Sequence, residues 1–87
     1  MAATMEVQVV GPDGRLYAGP AEFVVARTTE GEIGILPGHT PILAQLVGPS
    51  EVKVKTGTTE ERFRIDGGFM SVKENKVIVL AEETATP

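Results

Sequence analysis

Along almost the whole chain, apolar and polar side chains alternate with a period of two, and turn-forming residues break that alternation at short intervals. Met5, Val7 and Val9 alternate with Glu6 and Gln8, and Val52 and Val54 alternate with Glu51, Lys53 and Lys55. This is the repeat of a strand with one face in a core and one face in water. Turn chemistry lies at Gly11-Pro12-Asp13-Gly14, Gly19-Pro20, Gly48-Pro49, Thr56-Gly57-Thr58-Thr59, Gly67-Gly68 and Lys73-Glu74-Asn75-Lys76. The pattern predicts strands near 5–10, 15–18, 21–27, 32–35, 42–46, 51–56, 61–66, 69–73 and 77–82, paired mainly as antiparallel hairpins. Within 77–82, Val77, Val79 and Ala81 alternate with Ile78 and Leu80 in a run apolar on both faces, which marks a central strand. A helix would fit only at 69–86, and the β-branched run there opposes it. The fold class is therefore all-β, a small sandwich or barrel in one domain spanning residues 1–87.

Composition removes several classes of function. A net charge of −4 without a basic cluster argues against nucleic acid, because neutralising phosphates needs grouped Lys and Arg. With no cysteine there is neither a disulfide nor a thiolate metal ligand. No apolar run approaches the roughly 20 residues that span a bilayer. Met1 to Met5 has neither the basic nor the long apolar part of an export signal. With only four aromatics, the core must be packed by Val, Ile, Leu and Met. Ile33, Ile35, Leu36, Ile42, Leu43 and Leu46 are accordingly expected inside.

One segment does not read as an ordinary strand. Gly31-Glu32-Ile33-Gly34-Ile35-Leu36-Pro37-Gly38-His39-Thr40-Pro41 combines three glycines, two prolines and the only histidine. Glycine allows close approaches and unusual backbone angles, while proline fixes φ, so this is a shaped loop able to present side chains. A Ser-His-Asp triad would have to draw on His39 with Ser50 or Ser71 and Asp13 or Asp66, yet turn roles already explain both aspartates. The glycines at 31, 34 and 38 are followed by no Gly-Lys-Ser/Thr, so a phosphate cradle is disfavoured. No cofactor, metal or small-molecule substrate is expected. On the residues alone, His39 is a loop histidine bonded to backbone, and Glu30 and Glu32 serve solubility.

Gly31 to His39, with Thr40-Pro41-Ile42-Leu43, Asp66-Gly67-Gly68-Phe69 and Val77-Ile78-Val79-Leu80-Ala81-Glu82, resembles the N-terminal β-domain of the epsilon subunit of F-type ATP synthases. The resemblance covers nearly the whole chain. It implies a sandwich of two mostly antiparallel sheets with about ten strands, on the rotor between the gamma subunit and the c ring. The implied role is non-catalytic coupling of proton flow to ATP synthesis, peripheral to the cytoplasmic face of a bacterial plasma membrane or, alternatively, to the stromal side of a thylakoid. It makes Glu30, Glu32, Gly38 and His39 the expected contacts to the c ring, with Gly31, Gly34, Pro37, Pro41, Gly67 and Gly68 shaping the loops. The surface facing gamma should carry an exposed apolar patch. The C-terminal helix pair common in the family has no counterpart after Glu82, so its inhibitory role is not carried over. The competing readings are a free-standing sandwich that binds a peptide or sugar through residues 30–41, and a small hydrolase using His39 and Asp66.

Overall fold

The computed structural model describes residues 3–83; Met1, Ala2 and the tail from Thr84 to Pro87, including the end of the alternative helix at 69–86, lie outside them. Nine strands follow in order: β1 (Met5–Gly11), β2 (Gly14–Ala21), β3 (Phe23–Thr28), β4 (Gly31–Ile35), β5 (Ile42–Leu46), β6 (Ser50–Thr56), β7 (Thr59–Ile65), β8 (Gly68–Lys73) and β9 (Lys76–Ala81). All nine fall where the alternation places them, close to the ten that the resemblance implies. Most boundaries agree within two residues, and one differs by more. Gly19-Pro20 is not a turn, because β2 runs on to Ala21 and Pro20 pairs with Glu6. Proline is tolerated there because β2 is an edge strand, where a missing N–H interrupts no ladder on the open side.

The strands form one hydrogen-bonded sheet in the order β2-β1-β9-β8-β5-β3-β6-β7, with β4 on the other side of β3. It doubles over where β5 meets β3, since their pairing is confined to Thr28 and Leu46. Thr29 N–H to Gln45 O (3.0 Å) and Val47 N–H to Arg27 O (3.1 Å) carry the ladder round this corner. The two expected sheets are thus the halves of one folded sheet: a β1 layer (β2-β1-β9-β8-β5) and a β6 layer (β4-β3-β6-β7). At the opposite side Tyr17 of β2 packs on Phe63 of β7 with ring centroids 5.9 Å apart. There Thr56 Oγ1 also donates to Pro20 O at 3.1 Å.

The core lies between the layers and is aliphatic. Val7, Val9, Val77, Val79 and Met70 from one layer meet Val24, Ile35, Val52, Val54 and Ile65 from the other, all essentially inaccessible. β9 is central, parallel to β1 and antiparallel to β8, which matches its reading as a strand apolar on both faces. Pairing β1 with β9 brings the first and last strands together in the middle of their layer. The expected core loses two members, because Leu36 is 57% and Leu43 75% exposed. Leu36 sits just beyond β4, and Leu43 points away from Ile42 and Ala44, whose partners Val72 and Met70 are buried.

Candidate functional site

The loop joining β4 to β5 is held by backbone and by one distant side chain. His39 N–H donates to Leu36 O at 3.1 Å, closing a tight turn over Pro37 and Gly38. Gly38 has φ +85°, the left-handed region that glycine enters without steric cost. The His39 ring bonds the backbone: Nδ1 lies 2.7 Å from Thr40 O. A carbonyl only accepts, so Nδ1 carries the hydrogen and Nε2 stays available to another group. Gly38 N–H donates to Asn75 Oδ1 at 3.0 Å, and Asn75 Nδ2 donates to Thr4 O at 2.9 Å. Asn75 therefore ties together the β4–β5 loop, the β8–β9 turn and the segment entering β1.

The other residues singled out from the sequence are distributed as follows. Glu30 is in the two-residue turn between β3 and β4, where its N–H donates to Thr28 Oγ1 (3.1 Å) and Thr28 Oγ1 donates to Gly31 O (2.8 Å). Glu32 is exposed and paired in register with Arg27. Glu30 and Glu32 thus stand at the start of β4, and Gly38 and His39 lie beyond its end. From Glu32 to Ile35 the extended chain alone covers ~10 Å, so these groups do not form one cluster. A groove of about 410 Å³ links Glu30 to Ile33, Ile42 and Leu43. Gly34 has the Phe23 ring over it, 2.9 Å from where a Cβ would stand. Gly31 and Gly67 sit at turns with positive φ, and Pro37 and Pro41 bracket the loop. Gly68 is buried with φ +134°, and a Cβ there would run into the Leu80 carbonyl.

His39 and Asp66 cannot act together. Asp66 precedes the start of β8, whereas the His39 loop is tied to Asn75 just after its end, so the length of β8 separates them. Ser50 Oγ donates to Val47 O at 2.8 Å, a turn role.

The feature that alternation could not separate from core is the outer face of the β1 layer. Phe69 and Leu80 are register partners, 50% and 54% exposed; Val10 flanks Leu80, and Ser71 links Leu43 to Ile78. Apart from Ser71, and with Gln45 beside Phe69, these residues make a largely apolar ladder across β1, β9, β8 and β5. The outer face of the β6 layer is charged instead. Arg62 bonds Glu60 Oε2 at 2.7 Å and approaches Glu51 at 4.0 Å, while Lys55 lies 3.8 Å from Glu60. The hydrogen bond from Arg62 holds the Glu60 carboxyl below the usual range, and the same contact raises the Arg62 guanidinium. Among the described residues no helix is long and apolar enough to cross a membrane.

Known proteins share both sequence and fold with this chain. Residues 4–87 match the family model described as ATP synthase, Delta/Epsilon chain, beta-sandwich domain. The ATP synthase epsilon chain of Alkalihalophilus pseudofirmus is 45% identical over 85 residues, 98% of this chain and 63% of that relative. The epsilon chain of Frankia casuarinae is 46% identical over 78 residues, 90% of this chain and 92% of that one. This chain thus spans less than two thirds of the first relative's length and nearly all of the second's. Among solved structures, a chain of the Euglena gracilis mitochondrial ATP synthase (OSCP/F1/c-ring, rotational state 1) superposes with a TM-score of 0.87 at 26% identity, covering 98% of this chain and 54% of that chain. A chain of the Tetrahymena thermophila mitochondrial ATP synthase central stalk and c ring has the same fold, with a TM-score of 0.78 at 20% identity over 97% of this chain and 67% of that one. From its first strand to its last, this chain belongs to the family of ATP synthase delta/epsilon chain β-sandwich domains.

Proposed function

We propose that this chain is a rotor component of a proton-translocating F-type ATP synthase, bracing the gamma subunit against the c ring so that torque from proton flow reaches catalytic sites elsewhere in the complex. It carries out no catalysis itself and binds no substrate or cofactor. The observation that carries this reading is the match of residues 4–87 to the delta/epsilon sandwich, with epsilon chains 45% and 46% identical. The surface is consistent with it. The Leu43, Phe69 and Leu80 face offers gamma an area that water wets poorly, and desolvated apolar area sustains lasting subunit contacts. The c ring is met by Glu30, Glu32, Gly38 and His39, where carboxylates and an imidazole offer charge-assisted bonds to polar loops. The bacterial relatives support a position at the cytoplasmic face of the plasma membrane, held there through the complex.

The free-standing binding module finds less support, because Tyr17, Phe23 and Phe63 are half-buried and offer no aromatic platform at the 30–41 loop. The test is binding of the folded chain to a gamma–c-ring assembly stripped of its epsilon subunit. Saturable binding, weakened about 10-fold by Glu32→Ala with His39→Ala, is the expected result. A folded wild-type chain that does not bind would overturn the proposal.

A further inference from the structure

Asn75 does more than its turn requires. The β8–β9 turn holds Glu74 at φ 51° and Asn75 at φ 63°, and asparagine is among the few residues besides glycine that accept this region readily. Backbone geometry alone would be met by glycine at 75. The carboxamide adds what glycine lacks, an acceptor and a donor on one rigid plane. Oδ1 takes the Gly38 N–H (3.0 Å), Nδ2 reaches Thr4 O (2.9 Å), and the Asn75 main-chain carbonyl takes the Glu6 N–H (3.0 Å). Only one orientation of the carboxamide satisfies both side-chain bonds, because Gly38 offers a donor and Thr4 an acceptor. Residues 4, 38 and 75 are remote in sequence, and this one side chain joins them.

We infer that Asn75 is a positioning residue for docking: by fixing Gly38 at the apex of the β4–β5 loop, it presents His39 in a geometry ready to bind. This rests on the rotor reading above. The loop's other fastening beside Gly38 is local, the His39 N–H to Leu36 O bond, which shapes the turn without attaching it to the sheet. Among the hydrogen bonds of the described residues, fastening the apex to a neighbouring turn is left to Asn75. A loop ordered in advance loses less freedom on binding, whereas a loop that samples other shapes binds in proportion to the fraction in the right one.

The test compares the whole chain with Asn75→Gly, which keeps the positive-φ backbone and removes both side-chain bonds, and with Asn75→Asp, which keeps an acceptor for Gly38 and loses the donor to Thr4. Backbone amide relaxation should show the Gly38 order parameter falling in Asn75→Gly from about 0.85 toward 0.6. Affinity for the gamma–c-ring assembly should fall about 3- to 10-fold, the range expected when one or two exposed hydrogen bonds are lost. Asn75→Asp should lie between wild type and Asn75→Gly on both readouts. Glu74→Gly, which alters the same turn without touching these bonds, should match wild type on both. An unchanged Gly38 order parameter in Asn75→Gly overturns the inference, as does a mobile loop with undiminished affinity. If the folded wild-type chain does not bind at all, the rotor reading and the docking role both fail. The relaxation result would then identify Asn75 as a structural fastening only.

Discussion

On the outer face of the β1 layer, Leu43, Phe69 and Leu80 are 75%, 50% and 54% exposed, whereas the outer face of the β6 layer carries Arg27, Lys53, Arg62 and Arg64 among glutamates. The inward faces of both layers follow one rule, since each is aliphatic, mainly Val and Met in the β1 layer and Val and Ile in the β6 layer. What separates the layers is the other half of the alternation. A charged outer face keeps an edge such as β7 soluble and discourages pairing with a stray strand. An apolar outer face adds less to the isolated fold than the core does and invites association. The contrast is the one that the proposed contact with gamma calls for: of two faces built on equivalent strands, one is finished for water and the other is not.

The largest effect should come from breaking the backbone beneath the apolar face. Gly68→Ala puts a methyl against the Leu80 carbonyl at a positive φ, and should cost about 3 kcal/mol in urea denaturation by forcing β8 away from β9. If Gly68→Ala were neutral, the close approach of these strands would not be what sets the ladder. Next, Phe69→Ser with Leu80→Ser should weaken binding to gamma about 100-fold, as loss of central apolar anchors does, while costing only about 1–2 kcal/mol of stability because half of each side chain is already in water. Equal loss of stability and affinity would show that the face belongs to the fold and not to a partner.

The charged face should respond far less. Lys53→Ser with Arg64→Ser should change gamma affinity by no more than about twofold, and any change should shrink with added salt. A large loss here would reverse the assignment of the two faces. Smallest of all is Glu60→Gln, which removes the contact with Arg62. The folded-state pKa of Glu60 is depressed, so its stabilisation is present above the ordinary carboxylate range and is lost as pH falls through the folded value. Wild type and Glu60→Gln should thus differ slightly at neutral pH and coincide in acid. Because the pair lies at the surface, the difference should also fade in high salt.

Strand positions were legible in the sequence because each strand declares itself locally, through alternation and the turn that ends it. Val52-Lys53-Val54-Lys55 needs no knowledge of its neighbours to be read. Three features were not legible for the opposite reason. Pro20 could continue β2 only because that strand is an edge, a fact of topology. Leu43 looked like core because period two fixes that neighbours point oppositely, without saying which set points in when both are apolar. Phe69 posed the same ambiguity, resolved by Met70 and Val72, which lie beside Val79 and Val77 of β9 on the inner face. Asn75 read simply as a turn residue, and its link to Gly38, 37 positions away, has no signature in spacing. The site was legible as a loop from its glycines and prolines, but its attachment was not.

The parallel pairing of β1 with β9 sets the order of events when the chain is made. Of the strands of this domain, the one made first has its inner neighbour made last. Until residues 76–81 emerge, both β1 and β8 present open edges. The centre of this layer therefore closes last, by a contact spanning nearly the whole sequence, which is the slow kind of folding step. β9 must be made before the domain can become one object, and a chain interrupted before it would expose two unpaired strands in place of a smaller version of the domain.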